Sequence, residues 1–245
     1  MSYAMQLTDQ SLNTAILFLH GFTATPSELE PTVQLLRQEG FEVYTPLLPG
    51  HGASPEVLNQ SDWKEWFASV TENLSQIHGR YEKVIVAGLS MGGLLALLAA
   101  ARLEEKVDGV VAINAPIWAL SFPMNCLWQF SFLLPPLPCS VKKAKRGALP
   151  GREAYDVYPV RALRSMLSLR KLVMRECSRI SLPASIIQSR MDEQVSPRSG
   201  TWLVEAIPGA AYTELCLAGH VATIGVEREK IVAAICRLDY MLNEK

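Results

Sequence analysis

The sequence has almost no net charge, and this absence restricts the partners it can have. Its 245 residues carry 23 Lys and Arg against 24 Asp and Glu, a formal net charge of −1. Proteins that bind nucleic acid usually carry a marked basic excess, so the balance argues against nucleic acid as the main partner. With 49% hydrophobic and 19% charged residues, the composition is ordinary for a globular protein, and a chain of this length can form a single α/β domain.

We also expect no membrane span, no export signal and no paired cysteines. The apolar run MNCLWQFSFLL lies between Pro123 and Pro135 and is too short to cross a bilayer. The first ten residues, MSYAMQLTDQ, have neither the basic start nor the apolar stretch of a secretory signal. We therefore expect a cytoplasmic protein without membrane insertion. The cysteines are odd in number and lack C-x-x-C spacing, which predicts reduced thiols and no metal site: Cys126, Cys139, Cys177, Cys216 and Cys236.

What the sequence does contain is a regular alternation of strand and helix patterns. The strands are predicted in six short runs, rich in apolar residues, at 15–20, 41–45, 83–88, 109–114, 184–189 and 211–216. Their continuous apolar character indicates burial on both faces. Helices are predicted from Pro26 to before Gly40, after the N-cap Ser61-Asp62, and around Ile231, Ile235, Leu238 and Leu242. This order predicts an α/β fold with a mostly parallel central sheet flanked by helices.

The alternation is interrupted once, between the fourth and fifth strands. Residues 117–180 are too long for an ordinary connection and are predicted to form an inserted lid, with 1–116 and 181–245 as the core. Residues 121–180 hold eleven Lys and Arg against three acidic residues. This basic segment either docks on an acidic body or attracts anionic substrates or a lipid surface. The lid aromatics either form its own small core or line an acyl pocket; they are Trp118, Phe122, Trp128, Phe130 and Phe132.

The turn from the third strand into its helix reads GLSMGG, with Ser90 at its centre. Glycines two positions before and after the serine, Gly88 and Gly92, remove Cβ atoms that would clash as strand and helix converge. Such a turn forces its central residue to positive φ and exposes the hydroxyl ahead of a helix N-terminus. The G-x-S-x-G pattern in this context predicts a nucleophile elbow.

A serine nucleophile on such an elbow needs a histidine and an acid further along the chain, in the order Ser, acid, His. Of the four histidines, His20 and His51 precede the serine and are predicted to shape loops, and His78 is predicted to be solvated. His220, in LAGHVATI after the last strand, is the candidate base. The acid is expected in RMDEQV, where Asp192 is favoured over Glu193.

Acyl transfer also needs donors for the developing oxyanion. The backbone N–H of Met91, directly after the serine, is one candidate. The second is the N–H of Phe22, in the HGFT loop after the first strand. The Phe22 ring either lines the acyl pocket or simply packs in the core.

With these residues assigned, the chain resembles the α/β-hydrolase superfamily, and within it the small bacterial carboxylesterases and monoacylglycerol lipases. The matching stretches are LFLHGFTATP, LLPGHGASPE, VAGLSMGG, QSRMDEQVSP and AGHV. The resemblance implies Ser90, Asp192 and His220 as a triad, Phe22 and Met91 as oxyanion donors, a lid, and neither metal nor cofactor. We expect an ester substrate, and because a pocket covered by a lid limits chain length, one of short to medium acyl length. Thioester, amide or C–C bond hydrolysis, or a receptor without catalysis on the same scaffold, are alternatives that the fold alone does not separate.

Overall fold

The central sheet is built from the six predicted strands. The computed structural model describes residues 14–119, 140–142 and 151–244, with backbone alone for 141 and 142. The sheet strands are β1 (Thr14–Leu19), β2 (Glu42–Tyr44), β3 (Lys83–Leu89), β4 (Gly109–Ile113), β7 (Ala184–Ser189) and β8 (Ala211–Leu215). Within the described residues they lie in the order β2-β1-β3-β4-β7-β8. Every neighbouring pair is parallel, as the strand–helix alternation predicts.

Burial of these strands depends on their place in the sheet. The central strands β1, β4 and β7 are buried along their whole length, and β3 is buried after its first residue. The edge strands β2 and β8 keep exposed residues, so the expectation of burial on both faces was wrong for them. An edge strand lacks a neighbour on one side, and helices cover it less completely.

Helices connect the strands at positions close to the sequence expectation. They are α1 (Glu30–Gln38), α2 (Pro55–Leu58), α3 (Trp63–Ile77), α4 (Met91–Arg102), α5 (Val160–Glu176), α6 (Arg198–Ala206) and α7 (Arg228–Asn243). Asp62 caps α3 and forms a capping box with Glu65, because its carboxylate accepts the otherwise unpaired N–H groups of the first turn. A short 3₁₀ turn at Pro26–Glu28 precedes α1, in place of the continuous helix expected from Pro26.

The apolar core lies on both faces of the sheet. Alternate residues of one strand point to opposite faces, so Leu17 and Leu19 belong to one core cluster and Ile16 and Phe18 to the other. The first cluster contains apolar residues of α3, α4 and α5, and the second contains those of α1 and α7. The helix α4 is buried almost all round, which explains its unbroken run of Leu and Ala.

Between β4 and β7 the structure describes parts of the predicted insertion. Strands β5 (Ser140–Lys142) and β6 (Val157–Pro159) form a separate antiparallel pair. Helix α5 adds Met166, Leu167 and Val173 to the core cluster shared with α3 and α4. The lid boundaries at 117 and 180 stay a prediction. In the parts of the chain that are described, no helix is long and apolar enough to span a membrane.

Candidate active site

Ser90 is the single residue between β3 and α4. Its backbone angles, φ 56° and ψ −117°, lie in a region that residues other than glycine rarely adopt. Its N–H donates to the carbonyl oxygen of Ile113 at the end of β4, 2.8 Å away. The neighbouring strand therefore holds the backbone in this strained conformation, and the partly exposed side chain stands at the carboxyl edge of the sheet.

The two glycines around Ser90 are required by close backbone contacts. A Cβ on Gly88 would lie 2.1 Å from the carbonyl group of Gly92, so the strand and the helix meet where the pattern predicts. A Cβ on Gly92 would lie 2.1 Å from the carbonyl oxygen of Leu19. Gly92 thus makes room for the end of β1 as well as for the turn around Ser90.

The structure brings Ser90, His220 and Asp192 together in one hydrogen-bonded chain. The Nε2 atom of His220 lies 3.0 Å from the Ser90 Oγ, and its Nδ1 atom lies 2.7 Å from Asp192 Oδ2. Ser90 follows the carboxyl end of β3, Asp192 that of β7 and His220 that of β8. These distances place the imidazole so that Nδ1–H donates to the carboxylate and Nε2 can accept the serine proton.

Asp192 and Glu193 have different places in this arrangement. The Oδ1 atom of buried Asp192 accepts the backbone N–H groups of Gln194 and Val195, both at 2.8 Å. Glu193 instead accepts the backbone N–H of His220 at 3.0 Å. The geometry favours Asp192 as the partner of the imidazole, and Glu193 holds the loop on which the histidine stands.

Asn114 supports the same histidine and was missed as a site residue in the sequence. It is fully buried, has φ 48°, and its Nδ2 donates to the carbonyl oxygen of His220 at 2.8 Å. Its amide also contacts Ser189, accepting the backbone N–H at 2.7 Å and donating to Oγ at 2.9 Å. Asn114 therefore ties the end of β4 to the end of β7 and to the His220 loop. Its place directly after a buried central strand is the signal that could have identified it.

Glu227 fixes the start of the His220 loop. Its carboxylate accepts the backbone N–H groups of Cys216, Leu217 and Ala218 at 2.6–3.1 Å. The ammonium of Lys230, 2.7 Å away, and then these N–H groups lower the pKa of Glu227 to about 2. The carboxylate is therefore ionised at neutral pH, when its bonds to the loop are strongest.

The two predicted oxyanion donors are Met91, directly after Ser90, and Phe22, directly after Gly21. Met91 is the first residue of α4, where backbone N–H groups have no partner within the helix. A Cβ on Gly21 would lie 3.4 Å from the Cβ of Ser90, which brings the following residue, Phe22, close to the serine. Among the described residues, none accepts a hydrogen bond from the Phe22 N–H. Their role as donors stays a prediction.

The remaining histidines are placed as the sequence suggests. His20 is buried and accepts the Leu48 N–H through Nε2 at 3.1 Å, and His51 lies edge-on to it at 4.9 Å between ring centres. Burial, with repulsion from His51, lowers the pKa of His20 to about 3, and burial lowers the pKa of His51 to about 4. Both are neutral near pH 7 and shape the loops. His78 is exposed at the end of α3.

The predicted substrate-binding aromatics are only partly described. The Phe22 ring is buried and contacts the rings of His51, Trp66 and Tyr158, so it packs in an aromatic cluster. Trp118 is half-buried, with the Arg170 guanidinium 5.5 Å from its ring centre. Phe122 and Trp128 lie outside the described residues, as do Phe130 and Phe132. An acyl-binding role for any of them stays a prediction.

The parallel sheet, the strained serine and the hydrogen-bonded histidine define a hydrolase scaffold, and comparison with known proteins agrees. The alpha/beta hydrolase family matches residues 16–234. The chain belongs to this family, in which it is a hydrolase of the lipase and esterase type.

Three similar proteins show how far the likeness extends. A thermostable monoacylglycerol lipase of Bacillus sp. (strain H-257) is 29% identical over 221 residues, covering 89% of this chain and 86% of that protein. A carboxylesterase of Bacillus subtilis (strain 168) is 24% identical over 223 residues, covering 89% and 88%. A solved structure from a study of LipS and LipT, two metagenome-derived lipolytic enzymes, has a TM-score of 0.83 at 28% identity and covers 94% of each chain.

Proposed function

We propose that this protein is a serine hydrolase that cleaves carboxylic esters of short to medium acyl chains or monoacylglycerols. The observation that carries the proposal is the chain of hydrogen bonds from Asp192 through His220 to Ser90, at 2.7 and 3.0 Å. The monoacylglycerol lipase and carboxylesterase names of its relatives support the ester class. We assign Ser90 as nucleophile, His220 as general base and acid, and Asp192 as the residue that orients the imidazole.

In the proposed mechanism the Ser90 Oγ attacks the ester carbonyl carbon while His220 Nε2 takes the hydroxyl proton. The carbonyl electron pair moves to oxygen, and the N–H groups of Phe22 and Met91 stabilise the resulting oxyanion. Collapse of this intermediate expels the alcohol, which takes its proton from His220, and leaves an acyl group on Ser90. Water, deprotonated by His220, then releases the carboxylic acid by the same steps.

Asp192 supports both halves of the cycle. Its Oδ2 holds Nδ1–H of His220, which keeps Nε2 free to accept a proton and stabilises the imidazolium that forms. Two backbone N–H groups on Oδ1 keep the carboxylate fixed as the charge on the histidine changes. No cofactor or metal takes part in the proposed steps.

A substrate series tests the proposed reaction. Turnover of p-nitrophenyl esters of increasing acyl length is measured beside a monoacylglycerol and an acyl-CoA. We expect hydrolysis of the esters and the monoacylglycerol, with a maximum at short to medium chains. No ester turnover would contradict the proposal. A rate that rises steadily to C16 and climbs at an oil–water interface would contradict the proposed chain length.

Two serine variants separate the site from the rest of the chain. Ser90→Ala removes the proposed nucleophile and should lower kcat by roughly 10⁶. Ser178→Ala, at an exposed position outside the site, serves as the matched control and should leave kcat within about twofold. Equal activity of the two variants would contradict the assignment of Ser90.

A further inference from the structure

The loop that carries Phe22, defined here as the oxyanion loop (residues 21–25), is strained. Thr23 has φ 67°, a left-handed conformation that is a genuine outlier for a β-branched residue. Such a conformation is unfavourable and persists only where the surrounding structure imposes it. Something must therefore hold the oxyanion loop in place.

Backbone contacts to the loop come from residues 152–158, which we call the strap. The strap lies within the predicted insertion, far from the loop in sequence. The Tyr155 N–H donates to the Thr23 carbonyl oxygen at 2.9 Å, and the Thr25 N–H donates to the Glu153 carbonyl oxygen at 3.2 Å. Between them, Ala24 and Ala154 form an antiparallel bridge. The strained Thr23 thus lies in a short β-like pairing with the strap.

An ion pair adds a second link between strap and loop. The carboxylate of Glu28 is buried, with 1% of its side chain exposed. Its Oε1 accepts the Gly21 N–H at 2.6 Å, and its Oε2 pairs with Arg152 Nε at 2.9 Å. A buried carboxylate is costly without a charged partner. Arg152 therefore keeps ionised Glu28 in position to bind the residue directly before Phe22.

Tyr158 gives the strap a third contact, which reaches both the oxyanion loop and the loop that carries Asp192. Its ring stacks on Phe22 with 6.2 Å between centres and 6° between planes. Its hydroxyl donates to Gln194 Oε1 at 3.2 Å, and the Gln194 N–H donates to Asp192. The strap thus connects the oxyanion loop to the loop that carries the proposed acid.

We propose that Glu28 and Arg152 are positioning residues for the reaction, through which the strap holds the Phe22 N–H at the oxyanion. The inference rests on the proposed function, because it assumes that Phe22 donates to an oxyanion formed at Ser90. The insertion then contributes to kcat, in addition to any part it has in choosing substrates. A displacement of about 1 Å at a reacting centre can lower the rate about 10²-fold.

The test compares Arg152→Gln with wild type in kcat, KM and the Ki of a trifluoromethyl ketone. Addition of the serine oxygen to this ketone gives a tetrahedral adduct with an oxyanion, so its affinity reports on the donors. We expect kcat to fall about 10-fold and the Ki to rise by a similar factor, with KM within about twofold. Arg175→Gln, at an exposed position of the same insertion, is the matched control and should match wild type.

Glu28→Gln keeps an oxygen for the Gly21 N–H and removes the charge that Arg152 neutralises. In that background Arg152→Gln should change kcat by less than about twofold, because the two residues act as a pair. A full 10-fold loss there, or a loss of kcat without a matching rise in Ki, would overturn the proposal. So would wild-type kcat and Ki in Arg152→Gln. A wild-type protein without ester turnover would instead overturn the proposed function. Arg152→Gln alone leaves the buried Glu28 carboxylate without its charged partner, whereas the Glu28→Gln background contains no such carboxylate. If Arg152→Gln alone does not fold, the pair can still be tested in the Glu28→Gln background.

Discussion

Replacing Gly92 by alanine should disable the site through a contact with another strand. The added Cβ would lie 2.1 Å from the Leu19 carbonyl oxygen and 2.8 Å from that of His20. Since Cβ atoms essentially never approach other heavy atoms within 3.0 Å, the Leu19 carbonyl must move by about 0.9 Å, close to the displacement that costs about 10² in rate, and the His20 carbonyl by about 0.2 Å. Leu19 and His20 directly precede the oxyanion loop in the chain.

We therefore expect Gly92→Ala to lower kcat/KM on a p-nitrophenyl ester about 100-fold. Overpacking costs about 1–3 kcal/mol, and each kcal/mol lowers the Tm of a chain of this size by about 2–4 °C. Gly93→Ala is the matched control, because its Cβ would meet its neighbours at 3.1–3.2 Å, which small shifts can accommodate. It should keep activity within about threefold. Wild-type kcat/KM in Gly92→Ala would refute this reasoning.

Two further perturbations separate roles that the sequence alone left open. Asp192→Asn should lower kcat by about 10⁴ because the amide no longer holds the imidazole tautomer. Glu193→Gln should lower kcat by less than about 10-fold, since its amide oxygen can still accept the backbone N–H of His220. Steady-state kinetics at pH 7.5 measure both variants, and a larger loss in Glu193→Gln than in Asp192→Asn would make Glu193 the acid. Burial lowers the pKa values of His20 and His51 to about 3 and 4 in the folded protein. Below the histidine pKa of about 6.5 in the unfolded chain, the unfolded state therefore binds more protons than the folded state. The free energy of unfolding should then fall as the pH drops from 6.5 to 5. Urea unfolding should show His51→Gln reducing that slope by about 1.4 kcal/mol per pH unit, and an unchanged slope would mean that His51 is not buried in its neutral form.

The residues that form the hydrogen-bonded centre could be predicted because their signals are local. Ser90 stands in a turn whose glycines have a steric reason. Asp192 and His220 follow the last two predicted strands, and parallel strands bring their carboxyl ends to one edge of a sheet. The alternation of strands and helices was enough to predict that neighbouring strands run parallel, since the crossover between two parallel strands is usually a helix.

The supporting contacts were not predictable, because each joins residues distant in the chain. Arg152 and Glu28 are 124 residues apart, and Asn114 lies 106 residues from His220. No periodicity or spacing relates such pairs. Docking on the body was one of two explanations offered for the charge excess of the insertion, and the Arg152–Glu28 pair is one described contact of that kind. Another pair has the opposite polarity, with Glu176 of the insertion bound to Arg102 of the core.

The central claim is that Ser90 is a covalent nucleophile activated by His220, and intact-mass spectrometry after treatment with a fluorophosphonate tests it most directly. Wild-type protein should gain the mass of one adduct, and peptide mapping should place that adduct on Ser90. Labelling should disappear in Ser90→Ala and slow by several orders of magnitude in His220→Ala. An adduct that persists in Ser90→Ala, or maps to another residue, would contradict the claim.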